Sequence, residues 1–172
     1  GDVMAPKINK KISPYNHTVY NNRDIRYIVI HWVGAVSTAK NNADFFARAN
    51  RNASAHYFVD KDEIWQSVLD KNAAWAVGGG PFSQGKRGSK YGNKCRNANS
   101  TSIELCCIKK NGRLIVDPKA IKKAAVLVKY LQRKYDIPDS RVIRHYDVTG
   151  KGCPGGYLTD KKWKALRKEL TE

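Results

Sequence analysis

The segment from Arg144 to Gly155 constrains this chain most, because it combines possible metal ligands with residues that bend the backbone. It places His145 and Cys153 eight positions apart, among three glycines and a proline that permit sharp turns and close backbone approach. Imidazole and thiolate are ordinary zinc ligands, and a catalytic zinc has three protein ligands and an open position for water. His31 is the third candidate ligand, and we expect it at the end of an apolar strand beginning at Tyr27.

The strongest compositional signal is a formal net charge of +17, from 32 Lys and Arg against 15 Asp and Glu. This charge predicts attraction to a polyanion, whether nucleic acid, an acidic membrane or an anionic cell wall. The sequence has no zinc-finger spacing, RNP-like string or basic heptads, so we expect no nucleic-acid partner. No apolar run approaches the ~20 residues that span a bilayer. We also expect no signal peptide, and hence synthesis in the cytoplasm.

The pattern of apolar residues predicts an α/β fold in a single domain. Its 172 residues are 41% hydrophobic, which suits a globular domain with one core. Strands are predicted at 27–32, 55–59, 63–69 and 102–108, and helices at 38–50, 118–135 and after Thr159. Strands interleaved with helices indicate a mixed central β-sheet flanked by helices. We expect residues 1–24 to form an irregular arm and residues 25–172 to form the domain. Residues 1–3, which precede the first Met, are expected to be vector-derived.

Residues in the predicted strands add to the list of candidates. Glu104 lies between apolar neighbours, and burial of an unpaired carboxylate is costly, so we expect either an ion pair or a functional role. His56 could be a fourth ligand or could line a groove. Cys106 and Cys107 are adjacent in a strand, so their side chains should point to opposite faces and remain free thiols.

The set of His31, His145 and Cys153, with Lys151 two positions before the cysteine, resembles the zinc-dependent type 2 N-acetylmuramoyl-L-alanine amidases. That family includes phage endolysins and is related to the peptidoglycan recognition proteins. Segments 54–58, 74–75 and 102–105 also follow in the family's order, so the resemblance covers roughly residues 25–170. It implies that 25–172 is a catalytic domain with zinc (Zn²⁺) at the base of an open groove, held by these two histidines and the cysteine.

The resemblance also implies an activity, which is hydrolysis of the amide bond between N-acetylmuramic acid and L-alanine in peptidoglycan. Glu104 would act as the general base, and Lys151 would stabilise the oxyanion. His56 and Trp75 would contact the substrate. Some relatives have tyrosine immediately before the position of His56, whereas this chain has Ala55, which favours Glu104 as the base.

The expected partner is peptidoglycan in an anionic Gram-positive cell wall. The chain would act on this wall after release, as the catalytic domain of an endolysin or autolysin, and we expect it to be a monomer.

Two alternatives remain open. A non-catalytic peptidoglycan-binding domain would share the fold but typically lacks the cysteine. A cysteine peptidase would use Cys153 and His145, although such a nucleophile usually lies at a helix N-terminus. Chelation should inactivate the amidase and leave the peptidase active.

Overall fold

A seven-stranded mixed sheet forms the centre of the structure, a computed structural model that describes residues 4–78 and 89–172. β4 pairs antiparallel with β5, and β7 with β8, while the other neighbours in this sheet pair parallel. β2 and β6 form a separate antiparallel pair. The mixed sheet expected from the sequence is therefore confirmed. In order across the main sheet the strands are β1 (Asn9–Lys10), β5 (Ile64–Gln66), β4 (Tyr57–Val59), β7 (Ser100–Lys110), β3 (Tyr27–Val36) and β9 (Val142–Arg144), with β8 (Arg113–Val116) on β7; the separate pair is β2 (His17–Thr18) and β6 (Ala73–Ala74).

Helices lie on both faces of the sheet, and three of them begin at a residue whose side chain caps the first turn. The side chains of Thr38, Asp117 and Thr159 each accept a hydrogen bond from a backbone N–H in the first turn, which satisfies a donor that the helix itself leaves unpaired. No helix in the described residues is both long and apolar enough to cross a membrane. The α-helices in this part of the chain are α1 (Ala39–Arg48), α2 (Pro118–Tyr135), α3 (His145–Thr149) and α4 (Asp160–Thr171).

Alternation along the strands divides their side chains between two faces. Ile28 and Ile30 of β3, with Ile103 of β7, point to the face covered by α2 and α4 and form the main core with them. Their neighbours point to the opposite face, where Phe58 packs with residues of α1. His31 and Glu104 alternate with these core isoleucines and leucines, so both lie on the α1 face.

Two expectations about the extent of the elements were wrong. β3 does not end near His31 but continues to Val36, because its pairing with β7 resumes at Val36 and Cys107 after an irregularity near Gly34, whose φ is +77°. The arm is also less irregular than expected, since β1 extends the sheet beside β5 and β2 pairs with β6. Strands of two residues are too short to produce a periodic sequence signal.

Candidate active site

A row of side chains across three neighbouring strands forms the floor of the site. The register of the sheet pairs His31 of β3 with Glu104 of β7, and Glu104 with Phe58 of β4. Because paired residues of adjacent strands point to the same face, these three side chains lie beside one another. The sheet therefore brings together a histidine and a carboxylate that are 73 positions apart in the sequence.

The neighbouring strand delivers the second histidine. β9 pairs with β3 so that Arg144 lies opposite Ile30, and His145 follows directly as the first residue of α3. Its Nδ1 atom is 3.1 Å from Nδ1 of His31. The buried guanidinium of Arg144 donates to both carboxylate oxygens of Asp147 and so holds the start of the helix. This ion pair was not predicted from the sequence, although its spacing of three residues suits one helical turn.

Backbone geometry then returns the chain to place the cysteine. Gly150 ends α3 with a φ of +82°, a conformation that favours glycine. The N–H of Tyr146 donates to the carbonyl of Cys153 at 2.9 Å, which closes the loop. Gly155 lies against the indole of Trp32, where an added Cβ would come within 2.4 Å of the ring. The predicted glycine-rich turns are confirmed, with the difference that residues 145–149 form a short helix and not a loop.

The three predicted ligands converge, since one ligand atom from each of His31, His145 and Cys153 lies within 4.8 Å of the others. All three side chains are buried. Burial, with the nearby charge of Lys151, lowers the pKa of His145 to about 4 and that of His31 well below its usual value, so both imidazoles are neutral at neutral pH. Neutral imidazole is the form that binds a metal ion.

The pKa of the Cys153 thiol is shifted in the opposite direction from the pKa values of the two histidines. Burial raises its pKa to about 12, and Glu104 adds to this effect. A single backbone donor, the N–H of Trp32, lies 3.4 Å from Sγ and acts in the opposite direction. The protein by itself therefore keeps this thiol protonated, and a cation at the site would be needed to favour the thiolate.

Ser102 orients the imidazole of His31 by contacting the ring nitrogen that faces away from His145. Its hydroxyl lies 3.0 Å from Nε2 of His31, which leaves Nδ1 directed toward His145. Partners of this kind fix the ring orientation of a metal-binding histidine. The sequence contained a signal for this residue, because Ser102 precedes Glu104 by two positions and so shares its face of the strand.

Glu104 and Lys151 complete the polar part of the site. A carboxylate oxygen of Glu104 is 3.6 Å from Nδ1 of His31, and about a fifth of its side chain is exposed to the groove. Burial raises the pKa of Glu104 to about 8, although the positive charge of Lys151 opposes the shift. The alternative for Glu104 was an ion pair with a lysine or arginine, but no Lys or Arg nitrogen in the described residues lies within 4.0 Å of its carboxylate. Its neighbour His31 is neutral.

A groove of about 370 Å³ opens above these residues. One wall is α1, whose Phe45 is 41% exposed, while Phe46 stacks on Phe58 with ring centroids 5.4 Å apart. The buried residues of α1 are Ala39 and Ala43, not its phenylalanines. Trp75 lies at the opening, 39% exposed, and donates from Nε1 to the hydroxyl of Thr18 at 2.9 Å.

His56 does not line this groove, because its side chain is only 1% exposed. Its Nδ1 accepts from the N–H of Ser102 at 3.1 Å, so the neutral ring carries its proton on Nε2 and donates to the carbonyl of Asn72 at 2.8 Å. The guanidinium of Arg23 also lies 3.1 Å from Nε2, so protein groups surround both nitrogens. The expectation that His56 contacts substrate or a metal is corrected: it supports the strand that carries Ser102.

The segment 78–100, which is rich in glycine and basic residues, is only partly described. Lys86 and Arg87 lie outside the described residues. In the described remainder, Tyr91 packs edge-on against Tyr27 with ring centroids 5.8 Å apart. This contact lies beside α3 and β9, where the N–H of Tyr91 donates to the carbonyl of Asp147.

Comparison with known proteins connects this geometry to a family. The family model described as N-acetylmuramoyl-L-alanine amidase matches residues 21–156, a span that contains all three candidate ligands together with Glu104 and Lys151. The chain belongs to this amidase family. The resemblance recognised in the sequence is therefore confirmed.

Curated members of the amidase family align with nearly the whole chain. A probable N-acetylmuramoyl-L-alanine amidase of Bacillus licheniformis is 30% identical over 175 residues, covering 97% of this chain and 48% of that protein. The amidase CwlA of Bacillus subtilis is 28% identical over 164 residues, covering 93% and 55%. The chain thus spans about half the length of the curated relatives that it matches.

Solved structures in the family share the fold over almost their full length. The structure of PlyL superposes with a TM-score of 0.74 at 26% identity, covering 97% of this chain and 98% of PlyL. The catalytic domain of XlyA gives a TM-score of 0.71 at 25% identity, covering 96% and 100%. The α/β fold predicted from the sequence is that of these proteins.

Proposed function

We propose that this chain hydrolyses the amide bond between the lactyl group of N-acetylmuramic acid and L-alanine in peptidoglycan, as the catalytic domain of an endolysin or autolysin. The observation that carries the proposal is the convergence of His31, His145 and Cys153 beside Glu104 at the floor of an open groove. Family membership and the names of the relatives support the choice of substrate.

The three converging side chains fit a zinc ion. Two nitrogens bound to one tetrahedral zinc at ~2.0–2.1 Å would lie about 3.3 Å apart, and the Nδ1 atoms of His31 and His145 are 3.1 Å apart. Two neutral imidazoles and one thiol form a donor set with three protein ligands, which leaves the fourth position of a catalytic site open. When bound, zinc supplies Lewis-acid chemistry, because it lowers the pKa of water and polarises an amide carbonyl.

Glu104 has the position and the proton affinity required of a general base. It borders the ligand atoms and reaches the groove, where a substrate amide would bind. Burial raises the pKa of Glu104 to about 8, near neutrality. In its ionised form the carboxylate can accept a proton from water, and as the acid it can return that proton to the leaving amine. The amide C–N bond breaks, and the products are a lactyl carboxylate and the free amino group of L-alanine.

Lys151 supplies the positive charge of the site. Its side chain lines the groove, and its charge is close enough to lower the pKa values of both histidines and of Glu104. An ammonium group in this position would stabilise the negative oxygen that develops on the carbonyl during attack. Trp75, at the opening of the groove, is proposed to contact the sugar or the stem peptide.

The alternatives are disfavoured by the same site. A cysteine peptidase needs a thiol of lowered pKa, whereas burial raises that of Cys153. Cys153 also follows α3, and so does not lie at a helix N-terminus. A binding-only domain would have no use for a carboxyl group of raised pKa beside three convergent ligand atoms.

Digestion of purified sacculi tests the proposal. The expected products are new amino-terminal alanine and lactyl carboxylates without new reducing sugars. Treatment with a chelator should abolish their release, and added zinc should restore it. New reducing ends would indicate a glycosidase, other new amino termini would indicate an endopeptidase, and binding without products would indicate a recognition domain; each of these would overturn the assignment.

A further inference from the structure

The surface opposite the groove carries a concentration of positive charge. α2 contains six Lys and Arg residues and no Asp or Glu, while α4 contains five against two. These helices hold 30 residues and a net charge of +9, which is about half of the charge of the chain in about a sixth of its length. We call the outward surface of Pro118–Tyr135 and Asp160–Thr171 the α2–α4 face.

The two helices present their charges on one side of the molecule. Leu127 of α2 and Leu166 of α4 belong to the same core as Ile28 of the sheet, so both helices pack on the same face of the sheet. Near their ends, Nζ of Lys129 donates to the carbonyl of Glu172 at 2.7 Å. The groove lies on the other face, so a ligand on the α2–α4 face would leave the groove open.

Most of these charges are not explained by pairing within the protein. Lys119, Lys122, Lys161 and Lys164 are exposed, and no carboxylate in the described residues lies within 4.0 Å of their ammonium groups. Like charges three or four positions apart on a helix destabilise it slightly. The arrangement therefore costs stability, which points to a role outside folding.

A depression of about 370 Å³ continues the α2–α4 face at the C-terminal end of α2. Lys134 contributes to its lining together with Lys10 and Lys71. The carboxylate of Asp70 also lies there, but it accepts hydrogen bonds from the hydroxyls of Tyr57 and Tyr135, both at 2.6 Å. Nζ of Lys134 also lies 3.9 Å from a carboxylate oxygen of Asp70. No carboxylate in the described residues lies within 4.0 Å of Lys10 or Lys71, so these two ammonium groups remain available to a ligand in this depression.

We propose that the α2–α4 face binds a linear phosphodiester-linked polyol, an anionic polymer of the cell wall, while the groove on the opposite face holds peptidoglycan. This inference rests on the proposed function in one respect: activity on peptidoglycan is what brings the chain to the cell wall, where it meets the polymer. α2 extends over about 27 Å, so its cations form a stripe along which a flexible polyanion can lie. Charge complementarity of this kind raises the association rate and the local concentration of the enzyme.

Two other polyanions fit the face less well. A membrane-bound helix inserts apolar side chains, but those of α2 are used in the core, and Val126 is its one large exposed apolar residue, at 38%. Single-stranded nucleic acid needs exposed aromatic rings for stacking. On these helices Trp163 is buried, while Tyr130 and Tyr135 are only partly exposed. The ammonium group of Lys134 lies over both tyrosine rings, at 5.7 and 5.4 Å from their centroids, so neither ring offers a free face for stacking bases.

The test compares two variants with equal charge changes. One carries K119Q, K122Q, K161Q and K164Q on the α2–α4 face, and the other carries K11Q, K40Q, K61Q and K94Q, all exposed positions elsewhere. Glutamine keeps the helix propensity close to that of lysine. Binding to purified poly(glycerol phosphate) is measured over a range of salt concentrations, with hydrolysis of a soluble muropeptide as the basal activity.

The face variant should bind the polymer about tenfold more weakly, and its slope of log Kd against log salt should be smaller by about 3, since each lost phosphate contact removes ~0.7 from the slope. The matched variant should change less than about twofold, and muropeptide hydrolysis should be equal in all three proteins.

Equal loss in both variants would overturn the proposal, as would loss seen only with anionic phospholipid vesicles or an oligonucleotide. If the parent binds the polymer through this face but exposes no new amino-terminal alanine in sacculi, the proposed function fails and this inference stands.

Discussion

Glu104 lies directly opposite His31 in the register of two adjacent parallel strands, with a carboxylate oxygen 3.6 Å from Nδ1 of the imidazole. Because the sheet sets this contact, the geometry does not depend on a mobile loop. The general base that we propose is therefore held beside one of the proposed zinc ligands by backbone hydrogen bonds, and not by a contact between the two side chains. This arrangement allows the two roles to be separated by mutation.

Cys153→Ser should lose most of the bound zinc and the activity, because it removes a thiolate from a set of three protein ligands. Zinc content, measured by elemental analysis, should be about one per chain in the parent. Cys106→Ser is the matched control, since Cys106 is also buried but packs with residues of α1. Full zinc content in Cys153→Ser would remove the cysteine from the site.

Glu104→Gln should keep the zinc and lower kcat by about 10²–10⁴-fold, the usual contribution of a general base. Glutamine preserves the shape of the side chain but cannot accept the proton. The comparison requires zinc content and muropeptide turnover from the same preparation. Turnover at the parental rate would show that another group is the base.

Ser102→Ala should weaken zinc binding by about 10–100-fold, because the hydroxyl that orients His31 is lost. Thr101→Val is a close control. It also removes a buried hydroxyl from β7, but the Thr101 hydroxyl has no hydrogen-bond partner in the described residues. Competition with a metal indicator would measure both affinities, and equal weakening by the two substitutions would contradict the orienting role.

His56 should make the stability of the fold depend on pH. Burial and the charge of Arg23 lower the pKa of its imidazole from 6.5 to about 4. Between these values the unfolded chain binds a proton that the folded chain does not, so stability should fall as the pH drops through this window. The slope from this one group approaches about 1.4 kcal/mol per pH unit.

Urea unfolding of the parent and of His56→Gln, at a series of pH values from neutral to about 4, would isolate this contribution. The variant lacks the titrating group, so its free energy of unfolding should vary with a slope smaller by about one proton. Parallel pH profiles for the two proteins would show that the folded state does not hold His56 neutral.

Salt should affect insoluble and soluble substrates differently. The net charge of +17 should draw the chain to anionic walls, and screening shortens the range of that attraction from ~8 Å at physiological ionic strength to ~3 Å at 1 M. Lysis of whole walls should therefore fall steeply with salt, while hydrolysis of a small muropeptide should change little. Equal sensitivity would place the effect of charge at the active site.

Local sequence patterns were enough to predict the residue types of the site and the main elements that carry them. The spacing of His145 and Cys153, the glycines around them and Glu104 in an apolar strand were sufficient to predict the converging ligands and the family. The caps at Thr38, Asp117 and Thr159 were also predictable, because capping depends on residues within one helical turn.

The folded structure was needed to establish which face of the sheet each side chain occupies and which residues surround it. His56 and Ser102 both lie on predicted strand segments, yet one is enclosed by backbone partners and the other orients His31, because these contacts join strands distant in the sequence. The position of the phenylalanines of α1 is another example. The alanines of this helix approach the sheet more closely and are buried, so its phenylalanines line the groove. Periodicity defines the two sides of an element, and packing against the rest of the chain decides which side is buried.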